Sequence, residues 1–95
     1  MPNYKRNFLP GGTYFFTVVT YERRPWLCFE KARKALRFAI NEVRTKRPFT
    51  IDAWVLLPDH LHCIWTLPEG DHDFSARWRF IKTTVSRQCA GMDEI

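Results

Sequence analysis

The sequence predicts an α+β domain in which a single antiparallel sheet is covered by helices on one face. Three segments are rich in β-branched and aromatic residues, and two others repeat apolar residues every three or four positions. Their order is strand, helix, strand, strand, helix, with only a tight turn between the last two strands. A chain of 95 residues, 45% of them hydrophobic, is sufficient for one such domain, which we assign to residues 1–95.

The first strand and the first helix follow from the side-chain pattern. The segment TYFFTVVTY (13–21) comes after two glycines and predicts a strand that is buried on both faces. The segment FEKARKALRFAINEVRTKR (29–47) predicts an amphipathic helix that ends at Pro48. The apolar positions of this helix are Phe29, Ala32, Leu36, Ala39, Ile40 and Val43.

The second and third strands form a predicted hairpin. The segment FTIDAWVLL (49–57) alternates between apolar and polar residues, as a half-buried strand does. Pro58 and Asp59 signal a tight turn, after which HLHCIWTL (60–67) returns as the third strand.

The last helix follows a polar turn, PEGDHD. Either Asp73 or Ser75 can cap a helix that extends over residues 74–90. Four apolar residues fall near one face of this helix, namely Trp78, Ile81, Val85 and Cys89. Three polar residues fall near another face, namely Arg79, Lys82 and Ser86.

This order of elements is a ferredoxin-like split βαβ sandwich without its last strand. In the complete topology the fourth strand pairs with the first, so the strand over 14–20 is expected to be an uncovered edge. We therefore expect either that the domain is incomplete at its C-terminus or that a second chain pairs with this edge to form a homodimer.

Several classes of protein are not supported by the sequence. No apolar run approaches the ~20 residues that a membrane helix needs, so no membrane partner is expected. The N-terminal segment lacks the apolar core and cleavage site of a signal peptide. Three scattered cysteines argue against a disulfide framework and fit a reducing compartment, so the expected location is the cytoplasm.

The net charge of +5 favours a polyanionic partner, and its distribution is uneven. Eleven of the 15 Lys and Arg residues lie in residues 1–47, whereas residues 48–76 contain none and carry five acidic residues. Basic segments around an acidic, histidine-bearing centre suit a metal site beside a phosphate-binding surface. Helix faces that carry Lys and Arg only for contact with solvent would explain the charges equally well.

The hairpin contains two neighbouring histidines in the stretch LLPDHLHCIW. Strand residues two apart share a face, so His60 and His62 lie on one face and Leu61, Cys63 and Trp65 on the other. Two imidazoles on one face can bind a single ion, but they can also be half-exposed side chains hydrogen-bonded to water or backbone. Because Cys63 points away, a His-His-Cys zinc site is disfavoured.

A third histidine, His72, lies in the polar turn between Asp71 and Asp73. It could join a metal cluster with either aspartate, although a solvated turn explains these residues more simply.

Several linked motifs resemble one protein family. LPDHLH, which follows a strand and precedes LPEGDHDFSARWRFIK, resembles the HUH motif region of the small single-tyrosine transposases, in particular the REP-associated tyrosine transposases. The opening PGGTYFFTVVTYERRPWL is similar to the first strand and following loop of that family, and the resemblance spans essentially all 95 residues.

The resemblance implies a bacterial, nucleoid-associated protein that cleaves and rejoins single-stranded DNA, often beside hairpins, in DNA transposition. In that family the histidine pair, here His60 and His62, holds Mg²⁺ or Mn²⁺ against the scissile phosphate. The ion polarises a phosphoryl oxygen and offsets the developing charge. A tyrosine on a later helix forms a 5′-phosphotyrosine link, which conserves the phosphodiester until a 3′-hydroxyl reverses it.

The chain departs from this pattern at the nucleophile. The family's tyrosine and third metal ligand lie on a helix beyond the region that ends here at Ile95, and Tyr4, Tyr14 and Tyr21 do not match the catalytic position. We therefore assign no catalytic residue. Mg²⁺ prefers oxygen ligands, so two imidazoles should hold it weakly, and the chain alone is expected not to cleave DNA.

DNA contacts are predicted on both basic segments. The predicted phosphate contacts are Arg77, Arg79, Lys82 and Arg87 on the last helix, and Lys5, Arg6, Arg23 and Arg24 near the first strand. Trp26 and Trp54 could stack on unpaired bases, although packing in the core or on the hairpin is the favoured explanation for both.

Two other functions remain open. A non-catalytic remnant of the family would bind hairpin DNA without cutting it. An RRM-like RNA-binding domain has the same layout, but it would need aromatic residues on its central strands, where this sequence has histidines on one face.

Overall fold

The computed structural model describes residues 12–90, and its elements follow the predicted order. The strands are β1 (Thr13–Val19), β2 (Thr50–Leu56) and β3 (His60–Thr66), and the helices are α1 (Glu30–Lys46) and α2 (Phe74–Gln88). A single 3₁₀ turn, Tyr21–Arg23, follows β1. The β-α-β-β-α order and the antiparallel sheet confirm the predicted α+β class, and each boundary lies within two residues of its predicted position.

The sheet has the order β1-β3-β2, and both pairings are antiparallel. His62 of β3 lies opposite Thr17 of β1 on one side and Val55 of β2 on the other. An irregularity in the register between Ile51 and Ala53 marks a bulge in β2. Within residues 12–90, β1 pairs with β3 alone, as expected of an edge strand; whether a second chain pairs with it stays a prediction.

Both helices cover the same face of the sheet. That face is built from alternate residues of β1 and β3, which are at most 2% exposed: Tyr14, Phe16, Val18, Leu61, Cys63 and Trp65. Trp65 stacks on Trp78 of α2 with ring centroids 4.5 Å apart, and Phe16 meets Trp65 edge-on at 4.8 Å. Aromatic pairs of this geometry stabilise the packing of α2 on the sheet by more than the burial of their surface area alone.

The prediction that β1 is buried on both faces is wrong. Its residues alternate, and Phe15, on the face away from the helices, is 53% exposed. Among the described residues, both helices lie on the other side of the sheet, so no helix covers Phe15.

The ends of α2 and α1 are joined through one buried arginine. Asp73 is the N-cap of α2, where its carboxylate accepts a hydrogen bond from the Ala76 amide at 3.1 Å. Arg77, one turn further on, is 1% exposed and donates to the carbonyl oxygens of Arg47, Pro48 and Asp73 at 2.9–3.1 Å. It thereby ties the chain between α1 and β2 to the first turn of α2.

Arg77 was predicted to contact DNA, and its surroundings do not permit that role. Its guanidinium also makes two hydrogen bonds to the Asp71 carboxylate, at 2.9 and 3.4 Å. A buried guanidinium with five hydrogen bonds has no donor directed to solvent. We therefore remove Arg77 from the set of DNA contacts.

Two further observations concern the cysteines and the helices. Cys28, Cys63 and Cys89 are free thiols, and burial raises the pKa of the Cys63 thiol to about 12. In the part of the chain that the structure describes, neither helix has the length and hydropathy needed to cross a bilayer.

Candidate metal and nucleic-acid site

The two histidines project from the uncovered face of the central strand. The rings of His60 and His62 have centroids 4.9 Å apart and planes inclined at 79°. Both side chains are partly exposed, whereas the alternating residues Leu61, Cys63 and Trp65 are at most 1% exposed in the core. The predicted sharing of one face is therefore confirmed, and Cys63 does point away from the pair.

A carboxylate fixes the ring of His60. Its Nδ1 lies 2.7 Å from the Asp59 carboxylate, which can only accept a hydrogen bond when it is ionised. The hydrogen bond from His60 and the charge of Arg23 hold the pKa of the Asp59 carboxyl below its usual value, so the carboxylate form is favoured. Nδ1 of His60 therefore carries a proton, and the lone pair of the neutral ring lies on Nε2, where it can bind an ion.

The ring of His62 is held by two residues of β1. Its Nδ1 is 3.0 Å from the Thr17 hydroxyl, which can accept a hydrogen bond from it in the same way. The aromatic ring of Phe15 stacks on it with centroids 5.7 Å apart. Since Thr17 and Phe15 belong to β1, the pairing of β1 with β3 sets the orientation of this histidine.

The loop after β1 is bound to the turn that precedes His60. The Thr20 amide and hydroxyl both donate to the Asp59 carbonyl oxygen, at 3.0 and 3.1 Å, and Thr20 is 3% exposed. Within this loop Glu22 and Arg23 have φ values of 52° and 54°, a left-handed conformation that costs about 1–2 kcal/mol per residue without glycine. This conformation accompanies a contact between Arg23 Nε and Asp59 Oδ2 of 3.1 Å.

The predicted DNA-contact residues occupy different surfaces. Arg23 adjoins the histidines through Asp59, and Arg24 forms an ion pair with Glu22 at 2.9 Å. Arg79 and Arg87 are exposed on α2, on the opposite side of the sheet from the histidines. Lys82, on the same helix, is half-buried, and this burial lowers its pKa. Lys5 and Arg6 lie outside the described residues, as does Tyr4.

The described residues do not complete a metal site. Between residues 12 and 90, no group of three or more His, Cys, Asp or Glu side chains is placed to hold an ion. Asp71 bonds to Arg77 and to the Asp73 amide, and the hypothetical cluster around His72 does not form. Two imidazole nitrogens supply only two of the ligands that an ion needs, and they suit transition ions better than Mg²⁺.

The sequence reasoning missed two contributors to this site, Phe15 and Asp59. Phe15 was assigned to a strand buried on both sides. It is two residues from Thr17 and therefore lies on the same face of β1, and the antiparallel register places Thr17 opposite His62. Asp59 was treated only as a turn residue. Its position directly before a histidine on the strand is a signal that could have indicated a carboxylate partner.

Two curated relatives match almost the whole of this chain. A REP-associated tyrosine transposase of Escherichia coli K12 is 53% identical over 89 residues, which are 94% of this chain and 53% of that protein. A Haemophilus influenzae protein that carries the same family name is 36% identical over 88 residues, covering 93% of this chain and 49% of the other. The chain thus spans about half the length of the curated relatives it matches. No family model matches it.

Solved structures show the same fold. A REP-associated tyrosine transposase bound to a REP hairpin superposes with a TM-score of 0.79 and 51% identity, covering 94% of this chain and 53% of that one. A candidate transposase from Deinococcus radiodurans R1 shares the fold alone, with a TM-score of 0.64 and 15% identity over 97% of this chain and 70% of the other. Over the part that it spans, this chain is a homologue of the REP-associated tyrosine transposases.

Proposed function

We propose that this chain binds hairpin DNA of the REP type together with adjacent single strand, and that His60 and His62 supply two ligands to a divalent ion at the bound phosphate. The observation that supports this most directly is the pair of rings on one face, each held at Nδ1 by a neighbour, Asp59 or Thr17. The relative with 51% identity was solved with a REP hairpin bound, and DNA is therefore the polyanion we propose here.

Each residue of the site has a defined task in this proposal. A bound Mn²⁺ or Mg²⁺ would supply Lewis-acid polarisation of a phosphoryl oxygen. His60 and His62 present Nε2 to the ion, and Asp59 keeps the proton of His60 on Nδ1. Arg23, with its side chain 63% exposed, offers its remaining N–H groups to the backbone of the strand.

Cleavage and rejoining through a 5′-phosphotyrosine link are proposed only for a complete protein of this family. Among the described residues, Tyr14 is sealed in the core at 2% exposure, and Tyr21 lies in the loop after β1. Neither occupies the position of the family's nucleophile, so we assign no catalytic residue here.

The experiment measures Mn²⁺ and DNA binding by the 95-residue chain and by a variant with His60→Ala and His62→Ala. We expect the chain to bind a REP hairpin by fluorescence anisotropy, and to bind Mn²⁺ weakly by electron paramagnetic resonance. The variant should lose the Mn²⁺ signal and any Mn²⁺-dependent gain in DNA affinity. Identical Mn²⁺ titrations for the two proteins would rule out the metal assignment, and no hairpin binding by the unmodified chain would rule out the DNA assignment.

A second candidate function is DNA binding without chemistry. The placement of Tyr14 and Tyr21 away from the family's catalytic position favours it for this chain. The Mn²⁺ titration separates the two functions, because only the first assigns a bound ion to His60 and His62. A covalent protein–DNA adduct after incubation with hairpin DNA and Mn²⁺, detected by denaturing electrophoresis, would contradict both.

A further inference from the structure

A groove on the helix side of the sheet takes no part in the histidine site. It lies between α1 and the edge strand β2 and has a volume of about 310 Å³. Its floor includes Ile51, Trp54 and Leu56 of β2, which pack only partly against the core. Its rim includes three arginines of α1, namely Arg33, Arg37 and Arg44, and no acidic residue lines it.

The spacing of two arginines at this rim lowers the stability of helix α1. Arg33 and Arg37 are exposed, and neither side chain makes a hydrogen bond or an ion pair with the residues from 12 to 90. They are four residues apart on one helix face, where like charges destabilise the helix by about 0.2–0.5 kcal/mol. Such a local conflict is typical of a surface that serves a ligand.

The third arginine is held in place. Arg44 Nε donates to the Phe49 carbonyl oxygen at 3.0 Å, and its guanidinium lies 5.6 Å from the centre of the Phe49 ring. Along the helix axis, Arg33 and Arg37 are about 6 Å apart, and Arg44 lies about 10.5 Å beyond Arg37. The three cations thus form a row, which suits a linear polyanion better than a single compact anion.

The floor of the groove offers one aromatic surface. Of the four tryptophans, Trp26, Trp65 and Trp78 are at most 8% exposed, and only Trp54 is partly open to solvent. Trp26 is buried in the core, as the favoured explanation of both tryptophans predicted. Trp54 packs against the core as well, but it also lines the groove. Base stacking on an aromatic ring accepts any base sequence, since every base has a flat face.

We propose that this groove binds an unpaired DNA segment that flanks the hairpin, with its phosphates along Arg33, Arg37 and Arg44 and a base on Trp54. The inference rests on the proposed DNA-binding function and adds a second contact region to it. The small volume of the groove and its one aromatic ring, the partly exposed Trp54, suit nucleotides of one strand. Arginine matches phosphate with paired hydrogen bonds.

The groove can be reached from the histidine face around one strand. Val55 of β2 lies opposite His62 on the outer face, while its neighbour Trp54 lines the groove on the inner face. Since adjacent strands are about 4.8 Å apart, a DNA strand that leaves the histidines has only the β2 edge to pass before it meets Trp54.

Binding of four DNA probes tests the inference. They are a REP hairpin without tails, the same hairpin with a single-stranded tail of about eight nucleotides on its 5′ side, the hairpin with that tail on its 3′ side, and the tail alone. The test variant carries Arg33→Gln and Arg37→Gln. Its matched control carries Lys31→Gln and Lys34→Gln, which remove the same charge from α1 outside the groove.

We expect a tail to raise the affinity of the unmodified chain and of the control, and to add nothing for the test variant. The log–log salt slope for the tailed probe should fall by about 1.4 in the test variant relative to the unmodified chain, from two lost contacts at about 0.7 each. Trp54→Leu should weaken tailed-probe binding about 5- to 150-fold, whereas Trp54→Phe should retain most of it.

Each of the remaining outcomes either overturns the inference or supports it. If both tailed hairpins bind no better than the bare hairpin, the groove does not hold flanking DNA, although the proposed function stands. If no hairpin binds, the proposed function fails, and binding of the tail alone then decides the inference. Tail binding by the unmodified chain that the test variant loses would support the groove. If the tail does not bind the unmodified chain, the inference is overturned. An oligoglutamate peptide that binds through Arg33 and Arg37 while tailed-probe affinity is unchanged would assign the groove to an acidic protein segment instead.

Discussion

Two arginine–aspartate pairs of similar length serve different purposes in this molecule. Arg77 meets Asp71 at 2.9 Å with the arginine side chain 1% exposed, whereas Arg23 meets Asp59 at 3.1 Å with its side chain 63% exposed. The first pair joins segments of the main chain, since Arg77 also binds three carbonyl oxygens. The second pair holds His60 and leaves most of the guanidinium in solvent. Burial and the neighbouring groups, rather than the pair itself, determine whether such a contact supports the fold or the site.

The largest effect is expected from Arg77→Ala. It leaves three carbonyl oxygens without their donor and the Asp71 carboxylate without its partner, so the free energy of unfolding should fall by about 3 kcal/mol. Urea denaturation followed by circular dichroism measures it. The control is Arg23→Ala, which removes an exposed pair and should cost less than about 1 kcal/mol. Equal losses in the two variants would contradict the distinction between the pairs.

The second effect concerns metal binding. Asp59→Ala removes the acceptor that keeps the His60 proton on Nδ1, and Mn²⁺ affinity should fall about 10- to 100-fold. The matched variant Asp71→Ala changes the aspartate of the other pair and should leave Mn²⁺ affinity unchanged while it lowers stability. Electron paramagnetic resonance titrations at a fixed temperature, well below both unfolding transitions, compare the two. If Asp71→Ala weakened Mn²⁺ binding as much as Asp59→Ala, Asp59 would have no special role.

The third effect is a dependence of stability on pH. The hydrogen bond from Arg77 lowers the pKa of Asp71 from its usual 3.8, so the folded state binds this proton less readily than the unfolded chain does. The resulting stabilisation is present above pH 3.8 and is lost as the pH falls through the lower pKa of the folded state. Asp71→Asn should therefore flatten the acid limb of the stability curve measured by urea denaturation between about pH 5 and pH 2. An acid limb of unchanged steepness in the variant would count against the pairing.

The smallest effect is expected in the α1 groove. Replacement of Arg33 and Arg37 by glutamine should leave the free energy of unfolding unchanged or raise it by about 0.2–0.5 kcal/mol, because a like-charge pair is removed. Thermal unfolding of this variant beside the Lys31→Gln and Lys34→Gln control measures it. A loss above about 1 kcal/mol would mean that these arginines, like Arg77, support the fold.

The sequence was sufficient for what depends on local periodicity. Residues two apart in a strand share a face, so the common side of His60 and His62 followed directly from their spacing. The helices and the second strand followed from the spacing of their apolar residues in the same way, whereas the first strand followed from its β-branched and aromatic residues, and its burial on both faces was predicted wrongly. These are properties of neighbouring residues, and tertiary packing did not override them.

What the sequence did not indicate depends on contacts between distant segments. Arg77 lies three residues after Phe74 and four before Ile81, both buried, so helical spacing did place it on the core face. It was nevertheless assigned to DNA contact, because no local pattern shows that the carbonyl oxygens of Arg47 and Pro48, between α1 and β2, accept its hydrogen bonds. The groove likewise requires α1 beside β2, a juxtaposition that no local pattern contains.

The central position of β3 also determines how the histidines respond to heat. Amide protons of a strand that is hydrogen-bonded on both sides are among the slowest to exchange, because they become accessible only when the domain opens as a whole. His62 lies inside that strand, and His60, its first residue, is paired with Val19 of β1 and accepts a hydrogen bond from the Leu57 amide. We therefore expect local fraying to separate their rings little. On warming, any affinity for Mn²⁺ should persist up to the melting transition and then vanish over the same few degrees as the folded domain.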